Sequence, residues 1–403
     1  MRTAILALTL TTALSSCEAE SPAGDSTRET LPNGAVLVRY ADLPAIDAAG
    51  PDVTEAQVDL QFGSVDGADP NLIFADIRGI QTASDGTIYV LDAQATEVRA
   101  YDPGGRYLRT IVRGGEGPGE ITAANGIILA GDTLLWLNDH DKGMVIGVDL
   151  AGQEVHRFAK PVRSYGYIWD GVFDHRGRHW RHIFEREGGF TYPPPPALSS
   201  STYHNYFVSY DLSSEAIDSV YLGESSGRSY TYEDPNGWQY LPISFEPSDI
   251  FVFNPPGGFW RANSASYRIV RTGGGGDTLV VIEAGLPVQR VTDEDRRAYV
   301  EKWVEYRPEA RRDLEAVAAL MADVKPVLAG MFVDDEGVLW VQRVVPSDAP
   351  SFYDRFSAEG DYLGSVRLAF EPAVGRIWIQ HGNVYSWVVD ELDVPYVVRA
   401  PVR

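Results

Sequence analysis

The sequence predicts an all-β fold, a six-bladed β-propeller with a short helical insertion between the fourth and fifth blades. Three observations predict it. A turn followed by a short strand with a central aromatic recurs six times, at Tyr89, Trp136, Trp180, Trp260, Trp340 and Tyr385. Those aromatics are spaced by 47, 44, 80, 80 and 45 residues. Three intervals are one repeat, and two are one repeat plus an insertion of roughly 35 residues. A second motif of apolar and aromatic residues, often closed by Asp and Gly, follows about twelve residues later, as at Val98–Gly105 and Val145–Gly152.

The N-terminus reads as targeting information. Arg2 precedes an apolar, Thr-rich stretch from Ala4 to Ala13, too short to span a bilayer. Leu14-Ser15-Ser16-Cys17 then resembles the bacterial lipobox. The resemblance implies a signal peptide at 1–16, lipidation of Cys17, and export to the outer membrane, on its periplasmic or surface side. Cys17 is the sole cysteine of 403 residues, so no internal disulfide can form. The stretch 17–33 is rich in Ser, Pro, Gly and Thr and reads as a lipidated flexible tether. The propeller follows over 34–403.

Within the propeller each repeat reads as four antiparallel strands, and the mid-strand aromatics fill the wedges between blades. The last unit, Ile377–Arg403, supplies only three strands. An open sheet edge is a liability, and the strand-like Val36–Tyr40 is the expected donor that closes the ring.

Asp85-Gly-Thr-Ile-Tyr-Val90 and Tyr101-Asp-Pro-Gly-Gly105 resemble the six-bladed propellers of the NHL-repeat and TolB-like group. Arg113-Gly-Gly-Glu-Gly-Pro-Gly-Glu120 is similar to a linker that follows a blade in bacterial members, and so is Asp390-Glu-Leu-Asp-Val-Pro-Tyr396. The resemblance covers 34–403 apart from the insertions, and implies a fold, not an activity.

The first insertion carries Tyr192 before four prolines, then Tyr203. An aromatic loop with Tyr230, Tyr232, Trp238 and Tyr240 joins the third and fourth blades. Aromatics outside repeat positions make these six residues the candidate binding rim. The second insertion, about 286–326, changes to helical period. Thr292 and Asp295 form a capping-box pattern, Tyr299, Trp303 and Tyr306 fall on one stripe, and Pro308 interrupts. Leu314, Val317, Met321 and Val324 continue a second stripe.

The formal net charge of −23 repels phosphate backbones, so nucleic acid is excluded as a partner. The glycine runs at 114–119 and 273–276 lack the residues of a phosphate cradle. His175, His179 and His182 cluster in sequence, but strand alternation sends His179 and His182 to opposite faces. Asp92, Asp139 and Asp141 follow second strands and are the candidates for a channel Ca²⁺ or other divalent cation; no other cofactor is expected. No nucleophile elbow is present. The sequence therefore points to a non-catalytic, membrane-tethered binding or scaffold propeller of the cell envelope. Its expected partner is a protein, peptide or glycan, and its contact with membrane is through the lipid alone. The alternative is a metal-dependent propeller enzyme of lactonase or lyase type, and no catalytic residue is assigned.

Overall fold

Short runs of alternating apolar residues, separated by Asp- and Gly-bearing turns, fold into six sheets. The computed structural model describes residues 26–402 apart from 66–68, 160–170, 175–176, 190, 195–196, 212–215, 236, 255–256 and 347. Four strands come first and join sheets completed much later: β1 (Ser26–Thr30), β2 (Val36–Tyr40), β3 (Val53–Ala56) and β4 (Leu60–Phe62). The first sheet follows as β5 (Ile77–Thr82), β6 (Ile88–Asp92), β7 (Glu97–Tyr101) and β8 (Tyr107–Val112). The second is β9 (Ala124–Ala130), β10 (Leu134–Asp139), β11 (Met144–Asp149) and β12 (Glu154–Ala159). The third has five strands, β13 (Val172–Phe173), β14 (Arg178–Arg186), β15 (Ala197–Asp211), β16 (Ile217–Asp234) and β17 (Gly237–Pro242).

The fourth sheet runs through β18 (Asp249–Phe253), β19 (Phe259–Asn263), β20 (Arg268–Thr272) and β21 (Thr278–Ala284). It then gains β2 and, outside it, β1. The helical insertion comes next, as α1 (Asp293–Tyr306), a turn at Pro308–Ala310 and α2 (Arg311–Ala319). The fifth sheet is β22 (Leu328–Val333), β23 (Leu339–Arg343), β24 (Phe352–Phe356) and β25 (Tyr362–Leu368), extended by β3. The sixth is β26 (Trp378–Gln380), β27 (Asn383–Val389) and β28 (Pro395–Pro401), completed by β4. First strands of all six sheets line one central cavity, so the sheets are blades around a channel.

Aspartates set the turns. Asp102, Asp149, Asp334 and Asp390 each accept backbone N–H bonds from the residues two and four further on, at 2.8–3.0 Å. In two blades the second carboxylate oxygen also takes an indole N–H: Trp180 donates to Asp174 at 2.9 Å and Trp340 to Asp334 at 2.7 Å. All six repeat aromatics are buried. Trp136 stacks on Phe173 with centroids 5.8 Å apart, and Trp180 on Phe253 at 4.6 Å, each across to the next sheet.

Ring closure departs from the sequence expectation. The sixth sheet does take its fourth strand from the N-terminal region, but the donor is β4, antiparallel to β28 with Phe62 opposite Val397. Val36–Tyr40 instead pairs parallel with β21 on the outside of the fourth sheet. The face made by Val36, Val38 and Tyr40 suits that position, while Arg39 on the other face stays exposed. Part of the expected tether is also ordered: Ser26–Thr30 pairs with Val36–Tyr40, while 17–25 lie outside the described residues. The N-terminal region is thus a belt over the fourth, fifth and sixth sheets.

The helical insertion forms as expected. Thr292 Oγ1 accepts from Asp295 N at 3.1 Å and Asp295 accepts from Thr292 N at 2.8 Å, a complete capping box. Leu314, Val317 and Met321 are buried, but Tyr306 and Val324 at the ends of the two stripes are exposed.

Candidate functional site

The channel cavity has a volume of about 1060 Å³. That is the upper end of the range for small-molecule sites. Its wall is mainly apolar, with Phe173, Phe251, Phe253, Phe332 and Trp378 on first strands. The first strand is the inner edge of each blade, so side chains of both its faces border the channel. Two of the amides in the wall, Gln81 and Gln380, are already engaged. Gln81 accepts from Leu129 N at 3.0 Å, and Gln380 accepts from Thr82 N at 2.5 Å. Each bond joins neighbouring first strands that share no ladder.

Arg181 and Arg376 bring positive charge to this wall, and Arg376 sits 5.8 Å from the Trp378 ring centroid. His182 lies 5.3 Å from Phe251, and its Nε2 is 3.1 Å from Asn205 Oδ1. The cavity reaches the turn Asp334–Gly337, on the rim where first and second strands meet. There Asp335 accepts from His381 N at 3.0 Å. Burial raises the Asp334 carboxyl above the ordinary carboxylate value, against the bonds from Trp340 and Val338 that lower it.

The cation candidates are committed to the fold. Buried Asp92 accepts from Ala75 N at 3.0 Å and from Asp76 N and Ala95 N at 3.2 Å. Buried Asp139 accepts from Thr122 N at 2.8 Å, Thr122 Oγ1 at 3.1 Å and Lys142 N at 3.3 Å. Asp141 is exposed, 3.2 Å from His140. His175 lies outside the described residues. His179 is buried between Tyr210 and Phe173, while His182 faces the channel. Among the described residues no three His, Cys, Asp or Glu side chains gather as a metal site.

The expected aromatic rim divides. The stretch 224–242 is not a loop: it continues the third sheet as the second half of β16 and as β17. Tyr230 and Tyr232 pack against Leu314 and Val317 of α2, and Tyr230 Oη donates to Asp313 at 2.9 Å. Tyr203 is half-buried, edge-on to Phe184 at 5.4 Å, and Trp238 is half-buried. Tyr192 and Tyr240 are exposed. Cys17 lies outside the described residues.

The channel rings escaped the sequence reading, although a signal exists. Phe173, Phe253, Phe332 and Trp378 stand 7, 7, 8 and 7 residues before the repeat aromatics Trp180, Trp260, Trp340 and Tyr385. That second aromatic period marks the inner strand.

No protein-family model matches the chain, and no curated protein matches it. Solved structures are similar at the level of fold. A member of the DUF4221 family from Bacteroides vulgatus is 9% identical over 85% of this chain and 96% of its own, with a TM-score of 0.45. The calcium-binding protein regucalcin from Agrobacterium tumefaciens is 9% identical over 87% and 97%, with a TM-score of 0.37. Virginiamycin B lyase from Staphylococcus aureus is 11% identical over 81% and 85%, with a TM-score of 0.36.

Proposed function

We propose that this chain is a lipid-tethered, non-catalytic binding propeller of the cell envelope that takes an apolar, aromatic-bodied ligand into its central channel. The observation that carries the reading is the ring-lined cavity shared by all six blades. Stacked and edge-on rings favour a flat apolar guest, and two guanidinium groups favour a negative group on it. Such a guest could be free or part of a peptide or glycan partner. The lactonase or lyase alternative would need several carboxylate, amide or imidazole groups converging in the channel. Gln81 and Gln380 serve the wall instead, and Asp92 and Asp139 hold backbone amides. His182, Asp335, Glu336 and Gln342 also border the cavity, but among the described residues no three His, Cys, Asp or Glu side chains converge, so binding is the better supported reading.

Anilinonaphthalene sulfonate, an aromatic anion, is the test probe. It is expected to bind with one-to-one stoichiometry. Val333→Trp, which fills the channel beside Phe332, is expected to weaken binding at least tenfold with the melting temperature kept. Tyr192→Ala and Tyr240→Ala are expected to leave it unchanged. Equal affinity for wild type and Val333→Trp sinks the channel reading, and loss in the tyrosine variants would move the site to the opposite rim.

A further inference from the structure

The two rims of the ring are built differently. Turns between first and second strands make one rim, where the channel cavity reaches Asp334–Gly337; the cavity also reaches Gly375–Ile377, in a passage at the other end. The other, the exit rim, carries the turns between second and third strands and the passages from sheet to sheet, including α1 and α2. Among the described residues, five large apolar side chains are at least 70% exposed: Tyr192, Val288, Tyr306, Val374 and Leu392. All five belong to the exit rim. Tyr192 and Leu392 sit in turns between second and third strands, and Val288, Tyr306 and Val374 in passages between sheets. Single exposed apolar residues need no explanation, but the gathering of the most exposed ones on one rim does.

The described part of the chain also begins there. Ser26 pairs with Tyr40, and Tyr40 with Ala284, the last residue of β21 before the helical passage. Eight residues lie between Cys17 and Ser26, a leash of at most about 30 Å. The segment 286–326 holds eight basic and nine acidic side chains, in a chain of net charge −23. The helical passage is thus nearly neutral and only weakly repelled by headgroup phosphates.

We propose that the exit rim lies against a zwitterionic bilayer surface, with Tyr192, Val288, Tyr306, Val374 and Leu392 as its apolar feet and the channel mouth at Asp334–Gly337 facing away. This rests on the lipid-tether reading for the leash. The lipid supplies the attachment, and the feet set the orientation.

The test uses the lipidated chain in phosphatidylcholine vesicles. Acylation blocks the Cys17 thiol, so Tyr306→Cys, Leu392→Cys and Ser84→Cys each offer one site for a nitrobenzoxadiazole label. Nitroxide lipids are expected to quench the labels at 306 and 392 severalfold more than the label at 84, on the channel-mouth rim. Equal quenching at all three, or stronger quenching at 84, overturns the orientation. Intact mass separates the two readings: no acyl mass on Cys17 removes the tether alone. The same labelled chains added to vesicles from solution then decide the rim, with quenching confined to 306 and 392 upholding it and uniform signal overturning it.

Discussion

At the residue scale, the fold depends on carboxylates placed where water cannot reach them. Asp354 is fully buried and accepts four bonds: from Arg343 Nε at 2.6 Å and Nη2 at 2.7 Å, and from Tyr267 Oη and Ser365 Oγ at 2.6 Å. Arg343 also donates to Pro44 O at 2.6 Å, so the cluster joins the fourth and fifth sheets to the N-terminal belt. Burial, and then the Asp354 charge, hold the Tyr267 phenol far above its ordinary value and therefore neutral. The pair is costly to desolvate, and breaking it leaves a guanidinium without its counter-charge. Asp354→Ala should therefore lower stability by about 3–5 kcal/mol, read from urea unfolding. The exposed pair Arg311–Glu301 gives the contrast, since Glu301→Ala should change stability by less than about 1 kcal/mol. A small loss for Asp354→Ala would mean that water reaches the cluster.

At the element scale, the repeat and the helical insertion were legible and the belt was not. Trp136, Trp180 and Trp340 recur because each blade must fill the same wedge, and a recurring need leaves a period in the sequence. Thr292 and Asp295 announce α1 because a helix start satisfies its own amides locally. Strand β4 announces nothing: the alternation of Leu60-Gln61-Phe62 is too short to stand out, and its partner Val397 lies more than 300 positions away. Tyr230 and Tyr232 suggest a loop because the four-strand repeat has no use for them there, although polar and aromatic residues do alternate over Ser229–Tyr232. The closure itself is testable through Phe62, which is buried against Phe74 and Tyr101, with the Tyr101 centroid 4.8 Å away. Phe62→Ala removes a ring at the seam and should cost about 3–5 kcal/mol. Glu29→Ala, on the outermost strand of the belt, should cost under about 0.5 kcal/mol by the same unfolding measurement. Equal losses would show that the ring closes elsewhere.

At the scale of the whole molecule, the ring places many phenols between blades, and this fixes how stability responds to base. Tyr353 is almost completely buried among Trp340, Val366 and Ala400 at the junction of the fifth and sixth sheets. Burial pushes its phenol up to about 12 from 10.0, against a lowering bond from Ser351. A raised folded value means that the unfolded chain ionises first. The stabilisation is therefore complete below pH 10 and drains away as pH rises toward the folded value near 12. Two pH units correspond to at most about 3 kcal/mol for this one side chain. Tyr267 shifts in the same direction. The chain already carries a net charge of −23, and each new phenolate adds to repulsion within the compact state. Unfolding free energy should thus be nearly level from pH 7 to about 9 and fall steeply above 10. Tyr353→Phe keeps the ring and deletes the ionisation, so its profile should fall less between pH 10 and 12, whatever its stability at neutrality. Parallel profiles for the variant and the wild type would mean that Tyr353 ionises in the folded ring as readily as in the open chain, and that the seam between the fifth and sixth blades admits water.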